Sequence, residues 1–287
     1  MPKSFPRAEV AAAAGAEPLR WDPVVSRGYG LNKSHWRVKL ADGRRVFVKV
    51  ALDADATAWL RDELRVYEAV RAPFLPEFVG AHHDGQTVLV LEDLSEAYWP
   101  PPWREGDVES VLATLEQVAG VTPPPLPGVD RRRWNGWIDV AEDPAPLLGA
   151  GLCSRRWLET ALPVLLEAGE TCDLGGGSLL HLDVRSDNLC FATDRVVLVD
   201  WNLACVGNPV LDVAFWLPSL TLEGGPQPWE LLAETGGLVS LVAAYFASRA
   251  GLPVPAAAPR VREFQRRQAE VALPWAAREL GLPDPSV

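Results

Sequence analysis

The chain has 287 residues, 48% of them hydrophobic and 23% charged, which suits one large folded domain or two packed lobes rather than a disordered chain. Its 27 basic against 38 acidic residues leave a formal charge of −11, and no basic run exceeds Arg131–Arg133, which argues against nucleic acid as a partner. The four cysteines (153, 172, 190 and 205) form no CxxC pair and accompany only four histidines, so free thiols are expected rather than a zinc site.

Residues 1–16 are Ala-rich but broken by Glu9 and Gly15, without the apolar core of a secretory leader. No apolar stretch is long enough to span a bilayer. A cytoplasmic protein without a membrane partner is expected. Val24–Tyr29 reads as a strand leading into a Gly-containing turn. Trp36, Val38 and Leu40 alternate with Arg37 and Lys39, the pattern of a half-buried strand. Asp42-Gly43 then signals a hairpin, and Val46, Val48 and Val50 alternate with Phe47 and Lys49 on its second arm. A helix is expected over 54–71, with Leu60, Leu64 and Tyr67 as its apolar stripe and Pro73 and Pro76 beyond its end. Two more strands, near 78–81 and 87–91, complete an antiparallel sheet. Glu92-Asp93-Leu94 leaves the last of them, and Pro100–Pro102 break the chain.

Beyond these prolines the chain reads as mostly helical. Val108, Val111, Leu112, Leu115 and Val118 recur at helical spacing. Further helices are expected over 156–168, 230–249 and 260–280, the second weakened by Gly236-Gly237. Between them lie short strands at 179–182, 189–191 and 195–199. No internal repeat is visible.

The chemistry sits in these short strands. Phosphoryl transfer needs a carboxylate to orient the attacking hydroxyl, oxygen ligands for Mg²⁺ and cations for the phosphates. The segment His181-Leu-Asp-Val-Arg-Ser-Asp-Asn188 sets an Asp and an Asn on one loop between strands. Asp200 follows the apolar run 196–199. A hairpin with arms of this length returns Asn188 and Asp200 towards one metal.

His181-x-Asp183-x-x-x-x-Asn188 followed by Asp200 resembles the aminoglycoside phosphotransferase and choline kinase superfamily, which shares the protein-kinase-like fold. The resemblance implies a bilobal α+β fold. Residues 1–93 would form a nucleotide-binding lobe with an antiparallel sheet and one main helix, and 94–287 a mainly helical lobe for catalysis and acceptor binding. It implies that Asp183 accepts or orients the hydroxyl proton, that Asn188 and Asp200 hold Mg²⁺, and that His181 braces the loop. Arg185 would stabilise charge on the γ-phosphate. Gly207-Asn208-Pro209-Val210-Leu211-Asp212 resembles the family's Gly-Asp-Pro…Asp segment, where Asp212 would hydrogen-bond the catalytic loop. Lys49 resembles the strand lysine that contacts the α- and β-phosphates. Glu63 falls on the apolar stripe of its helix, where a lone carboxylate is costly, so it is the favoured partner of Lys49, with Glu68 as the alternative. Gly28, Gly30 and Ser34 resemble a phosphate-covering loop, since Gly admits close backbone approach and Ser donates to phosphate. Backbone groups near Glu92 and Leu94 would meet the purine, a description that fits ATP and GTP alike.

Leu182 stands where protein kinases carry Arg in His-Arg-Asp, Asp200-Trp201-Asn202 replaces Asp-Phe-Gly, and no Ala-Pro-Glu triplet occurs. The expected enzyme is therefore an ATP- and Mg²⁺-dependent kinase acting on a hydroxyl of a small polar molecule. The acidic balance suits a cationic acceptor, with Glu142, Asp143, Glu230 and Glu270 as candidate amine partners and Trp134, Trp137, Trp216 and Trp275 as a candidate aromatic floor. A pseudokinase without transfer activity and a protein kinase are the alternatives. The sequence does not specify oligomeric state.

Overall fold

The computed structural model describes residues 4–25, 33–256 and 258–285. Along the chain these form α1 (Arg7–Ala14), β1 (Pro18–Val24), β2 (Lys33–Leu40), β3 (Arg45–Ala51), α2 (Ala54–Ala69), β4 (Phe78–His82), β5 (Val88–Glu92) and α3 (Asp107–Gly120). Then come α4 (Arg131–Trp134), α5 (Trp137–Glu142), α6 (Ala145–Gly149), α7 (Arg155–Thr171), β6 (Ser178–Leu180), β7 (Leu189–Ala192) and β8 (Arg195–Leu198). A short 3-10 turn (Trp201–Leu203), β9 (Cys205–Gly207), α8 (Val210–Leu222), α9 (Pro228–Leu231), α10 (Leu238–Ala250) and α11 (Val261–Glu279) complete it. The fold is α+β, with an antiparallel sheet early in the chain and helices late.

The chain divides into two compact units. The first takes Met1–Pro100, Val121–Pro125 and Ser186–Ala204; the second takes Pro101–Gly120, Leu126–Arg185 and Cys205–Val287. The opening stretch of the first unit ends at Pro100, in the proline run that the sequence offers as a lobe boundary, and the β7–β8 hairpin belongs to the first unit.

In the first unit five antiparallel strands are ordered β1-β2-β3-β5-β4. The expected hairpin at Asp42-Gly43 joins β2 to β3, with Gly43 at φ 91°, a left-handed value that suits glycine. Strand alternation then sorts the side chains. Trp36, Val38, Val46, Val48, Val50, Val88 and Val90 bury one face of the sheet against Val10 and Ala14 of α1. The contact is close enough that a Cβ on Gly80 of β4 would overlap the carbonyl oxygen of Ala13. Lys49 lies between Val48 and Val50, so its side chain leaves from the other face. There α2 presents its buried stripe of Leu60, Glu63, Leu64 and Tyr67. Asp53 caps α2 by accepting from the Ala56 amide at 2.8 Å.

The second unit is built around α10, nearly all of whose residues are buried. It packs on α11, α7 and α6. Gly237, just before α10, lies so close to the Ala168 carbonyl of α7 that no side chain fits there. Trp137 of α5 donates to both oxygens of Ser240, at 3.0 and 2.9 Å, and Ser240 donates to the Leu165 carbonyl at 2.7 Å. These bonds satisfy the polar atoms of a buried helix contact. The paired strands β6 and β9 lie in this unit and set the residues after Leu180 beside the start of α8.

Candidate active site

Lys49 and Glu63 meet as their parities dictate. Lys49 Nζ donates to Glu63 Oε2 at 2.7 Å and to Asp200 Oδ1 at 2.6 Å. A second cation completes the group: Lys33 Nζ donates to Glu63 Oε1 at 3.2 Å and lies 3.5 Å from Asp200 Oδ1. The side chains of Lys33 and Lys49 are each 5% exposed, that of Glu63 is 0% exposed and that of Asp200 is 37% exposed. Two lysines thus balance two carboxylates, with Asp200 the one group of the four that is open to solvent. Burial pulls the Lys49 pKa down, but Asp200 and Glu63 outweigh it and hold the ammonium charged, with its pKa above the ordinary value. Burial raises Glu63 despite the opposing pull of Lys49 and Lys33. Burial would also raise Asp200, yet Lys49 and Lys33 outweigh it and hold the carboxyl well below its ordinary value. Glu68, the alternative partner, is exposed, so the choice left open by the sequence resolves to Glu63.

Asp200 comes from the end of β8. Leu189 pairs with Leu198, and the Val199 amide donates to the Asn188 carbonyl at 2.9 Å, so Asn188 and Asp200 sit at the same end of one hairpin. Asp200 itself is left-handed, with φ 67° and ψ 54°, an uncommon conformation for a residue other than glycine. Arg195 secures the hairpin: its Nη2 donates to both carboxylate oxygens of Glu92 at 2.8 and 2.6 Å, and its Nη1 to the Pro73 and Leu75 carbonyls.

In the second unit the loop after β6 is held by Asp212, in the first turn of α8. Its carboxylate accepts from the His181 amide at 2.9 and 3.1 Å and from the Leu182 amide at 2.7 Å. Burial pushes the Asp212 carboxyl up to about 6, against the pull of those amides. The Asp183 amide donates to His181 Nδ1 at 3.2 Å, and Leu182 is left-handed with φ 56°. The loop is thus pinned on both sides of Leu182. Arg185 Nε lies 3.4 Å from Asp183 Oδ1, and the guanidinium stands over the Phe264 ring at 5.3 Å.

Residues 27–252 match the model of the APH phosphotransferase enzyme family. The chain belongs to that family. Solved structures with the same fold include a choline/ethanolamine kinase family protein from Mesorhizobium loti, 16% identical over 96% of both chains with a TM-score of 0.61. A putative fructosamine-3-kinase from Thermobifida fusca is 21% identical over 93% of this chain and 98% of that one, TM-score 0.55. Amicoumacin kinase hAmiN, solved in complex with AMP-PNP, Ca²⁺ and Ami, is 10% identical over 92% and 91%, TM-score 0.57. No curated protein matches in a sequence comparison.

As an APH-family member the protein is a phosphotransferase, a kinase by class. The first unit brings together Lys49, Glu63 and Asp200, with Asn188 on the same hairpin as Asp200. The second holds Asp183 and Arg185 side by side. Gly28 and Gly30 lie outside the described residues. Ser34 is on β2 opposite Val50, with Oγ accepting from Trp36 Nε1 at 3.2 Å. The carboxylate of Glu92 is occupied by Arg195, and the Leu94 carbonyl accepts from the Ala97 amide and from Trp99 Nε1. Among the described residues no helix is long and apolar enough to cross a membrane.

Sequence reasoning missed Lys33 and His35. The signal was present in the register: His35 pairs directly with Lys49, and Lys33 lies two residues before it on the same face. His35 stacks on Phe47 with centroids 5.5 Å apart, and burial, then Lys49, lower its pKa to about 4. The four acidic residues considered as amine partners have local places instead. Glu142 is exposed, Asp143 accepts from the Ala145 amide, Glu230 accepts from the Gln227 amide, and Glu270 pairs with Arg266 at 3.7 Å. Trp137, Trp216 and Trp275 are fully buried core residues.

Proposed function

We propose that this enzyme transfers the γ-phosphoryl group of ATP to a hydroxyl of a small polar molecule, with Mg²⁺ as the metal. The single observation that supports it most is the contact of the buried Lys49 with both the buried Glu63 and the partly exposed Asp200. Burying a charged pair is costly, and the arrangement, with Asp200 open to solvent beside it, makes sense where a polyanion and a cation are to be received.

The donor set suits Mg²⁺. Among the described residues no group of three or more His, Cys, Asp or Glu side chains forms a metal cage. One carboxylate and one amide, Asp200 and Asn188, match an ion that takes its other ligands from phosphates and water. When bound, the ion would draw phosphate oxygens together and offset their charge. Lys49 would hold the α- and β-phosphates, and Glu63 would keep Lys49 extended. Asp183 would take the proton of the acceptor hydroxyl as its oxygen bonds to the γ-phosphorus and the bond to the β-phosphate oxygen breaks, leaving ADP. Arg185 would stabilise the equatorial oxygens. GTP would meet the same residues.

The test is incubation with Mg·ATP or Mg·GTP and a library of small alcohols, read by mass spectrometry of the acceptor. Wild type is expected to yield a phosphorylated product, and Asp183→Asn and Asp200→Ala to lose at least about 100-fold in rate, the lower end of what a general base contributes. Transfer to lysate proteins but to no small molecule would favour a protein kinase. Nucleotide binding without transfer to either would favour a pseudokinase.

A further inference from the structure

Lys33 is the first residue of β2, a place from which a lysine stem can run out into water. Its side chain turns inwards instead and is only 5% exposed, with Nζ 3.2 Å from Glu63 Oε1 and 3.5 Å from Asp200 Oδ1. The ammonium also stands 5.9 Å from the centre of the Trp59 ring of α2. An ammonium is strongly hydrated, so keeping it from water is costly unless anions beside it repay the loss. Strand register fixes the placement. His35 pairs with Lys49 across β2 and β3, and Lys33 lies two residues before His35 on the same face, opposite Ala51.

Glu63 does not by itself account for two lysines. Lys49 already donates to Glu63 Oε2 at 2.7 Å, and it reaches Asp200 Oδ1 at 2.6 Å. Both ammonium groups therefore converge on one oxygen, Asp200 Oδ1, and that oxygen belongs to the one carboxylate open to solvent. Asp200 is also the proposed metal ligand. Once its carboxylate is committed to a metal ion, the two ammonium groups keep only Glu63 between them. A buried surplus of positive charge results, and the polyphosphate that accompanies the ion supplies the missing negative charge. A phosphate oxygen that replaces Asp200 Oδ1 as the partner of Lys49 comes within reach of Lys33 as well, because the two Nζ atoms already share that oxygen.

We propose that Lys33 is a second phosphate-binding cation, forming with Lys49 a two-lysine clamp on the polyphosphate of the nucleotide. This rests on the phosphotransferase reading and adds a nucleotide-binding residue to it. Lys33 acts through its charge at the phosphates and is more than a brace for Glu63.

The test is isothermal titration calorimetry of Mg·AMP-PNP, Mg·ADP and adenosine with wild type, Lys33→Gln and Lys33→Arg. Gln keeps a donor for Glu63 and removes the charge; Arg keeps the charge. Lys33→Gln is expected to weaken binding of Mg·AMP-PNP and Mg·ADP at least about 10-fold, the loss of one charge-assisted hydrogen bond, while the Kd for adenosine stays within about 2-fold. Lys33→Arg is expected to bind Mg·AMP-PNP at least about 3-fold more tightly than Lys33→Gln. Three results would each overturn the inference: Mg·AMP-PNP bound by Lys33→Gln as tightly as by wild type, adenosine weakened by the same factor as Mg·AMP-PNP, or Arg no better than Gln. If Lys33→Gln does not fold, wild type still decides. The Lys33 ammonium resonance of protein labelled with ¹⁵N-lysine, identified by its absence from Lys33→Arg, should shift with Mg·AMP-PNP and not with adenosine, and an unmoved resonance sinks the inference. Wild type that binds no Mg·AMP-PNP condemns the phosphotransferase reading itself, whereas equal binding by wild type and Lys33→Gln condemns the inference alone.

Discussion

Lys33 changes what substitution of Lys49 should do. Glu63 is fully buried between the two ammonium groups, so Lys49→Met leaves it one partner and Lys33→Met leaves it the other. Only the double variant strands the charge. Removing the last partner of a buried ion costs about 3–5 kcal/mol, whereas losing one of two charge-assisted bonds costs about 1.5–3 kcal/mol. Urea denaturation of the four proteins is expected to show coupling, with the double variant losing more than the sum of the singles; simple additivity would mean that Lys33 does not support Glu63. The Lys49–Glu63 pair was legible because a carboxylate on an apolar stripe demands an answer. Lys33 was not, because its meaning depends on strand register rather than on a motif. His35 offers a pH readout on the same face. Its folded pKa of about 4 lies below the ordinary 6.5, so the unfolded chain takes up a proton that the folded chain refuses. Stability from this residue is full above pH 6.5 and falls as pH drops towards 4, at up to about 1.4 kcal/mol per pH unit. His35→Gln should flatten the acid limb of the stability curve relative to wild type, measured by urea titration between pH 7.5 and 4.5. Parallel curves would refute the assignment.

At the scale of elements, Asp212 shows how a helix start can fix a distant loop. Its carboxylate serves two buried amides, those of His181 and Leu182, and the second belongs to a left-handed residue. Asp212→Ala leaves both donors without an acceptor, at about 1–3 kcal/mol each. The expected result is a lower Tm by calorimetry and faster hydrogen exchange at 181–183, with little change in the β7–β8 hairpin. Unchanged exchange in the loop would mean that other contacts hold it. The loop and this carboxylate were both readable from the sequence, yet α8 was not expected as a helix. The reverse happened over 230–249, expected as one helix. The structure breaks it between α9 and α10, where Glu234 and Gly236 both have φ of 56°. Gly236-Gly237 weakened the helical reading, but the reason for the break is packing, because Gly237 abuts the Ala168 carbonyl. Similarly, α1 was missed because an alanine run carries no stripe; its role comes from the valine face it covers.

At the scale of the molecule, the first unit is assembled from three stretches of chain, and the last of them falls between two stretches of the second unit. Periodicity reads neighbours along a chain, so β2 to β5 and α2 were legible, while β1 at Pro18–Val24, expected over 24–29, and the return of 186–204 to the sheet-bearing unit were not. That return is extensive. The Leu198 amide donates to the Phe74 carbonyl at 2.8 Å, Trp201 packs on Phe74 with centroids 5.9 Å apart, and Tyr98 and Phe191 exchange backbone hydrogen bonds at 2.9 and 2.8 Å. Arg195 adds its bidentate grip on Glu92, and Asp200 brings the carboxylate that balances Lys49. A chain ending at Pro100 keeps every strand of the five-stranded sheet but loses all of these. It would expose Phe74 and Leu94 and leave two lysines facing one glutamate. Burial of a small sheet alone gives a thin margin of stability, since domains of this size stand only about 5–15 kcal/mol above unfolding. Residues 1–100 on their own are therefore expected to melt without a sharp transition and to bind ANS, as a compact but unpacked state does. Circular dichroism against temperature decides it: a cooperative transition within about 5 °C of the full chain, roughly 1 kcal/mol for a domain of this length, would show that the sheet stands without the β7–β8 hairpin.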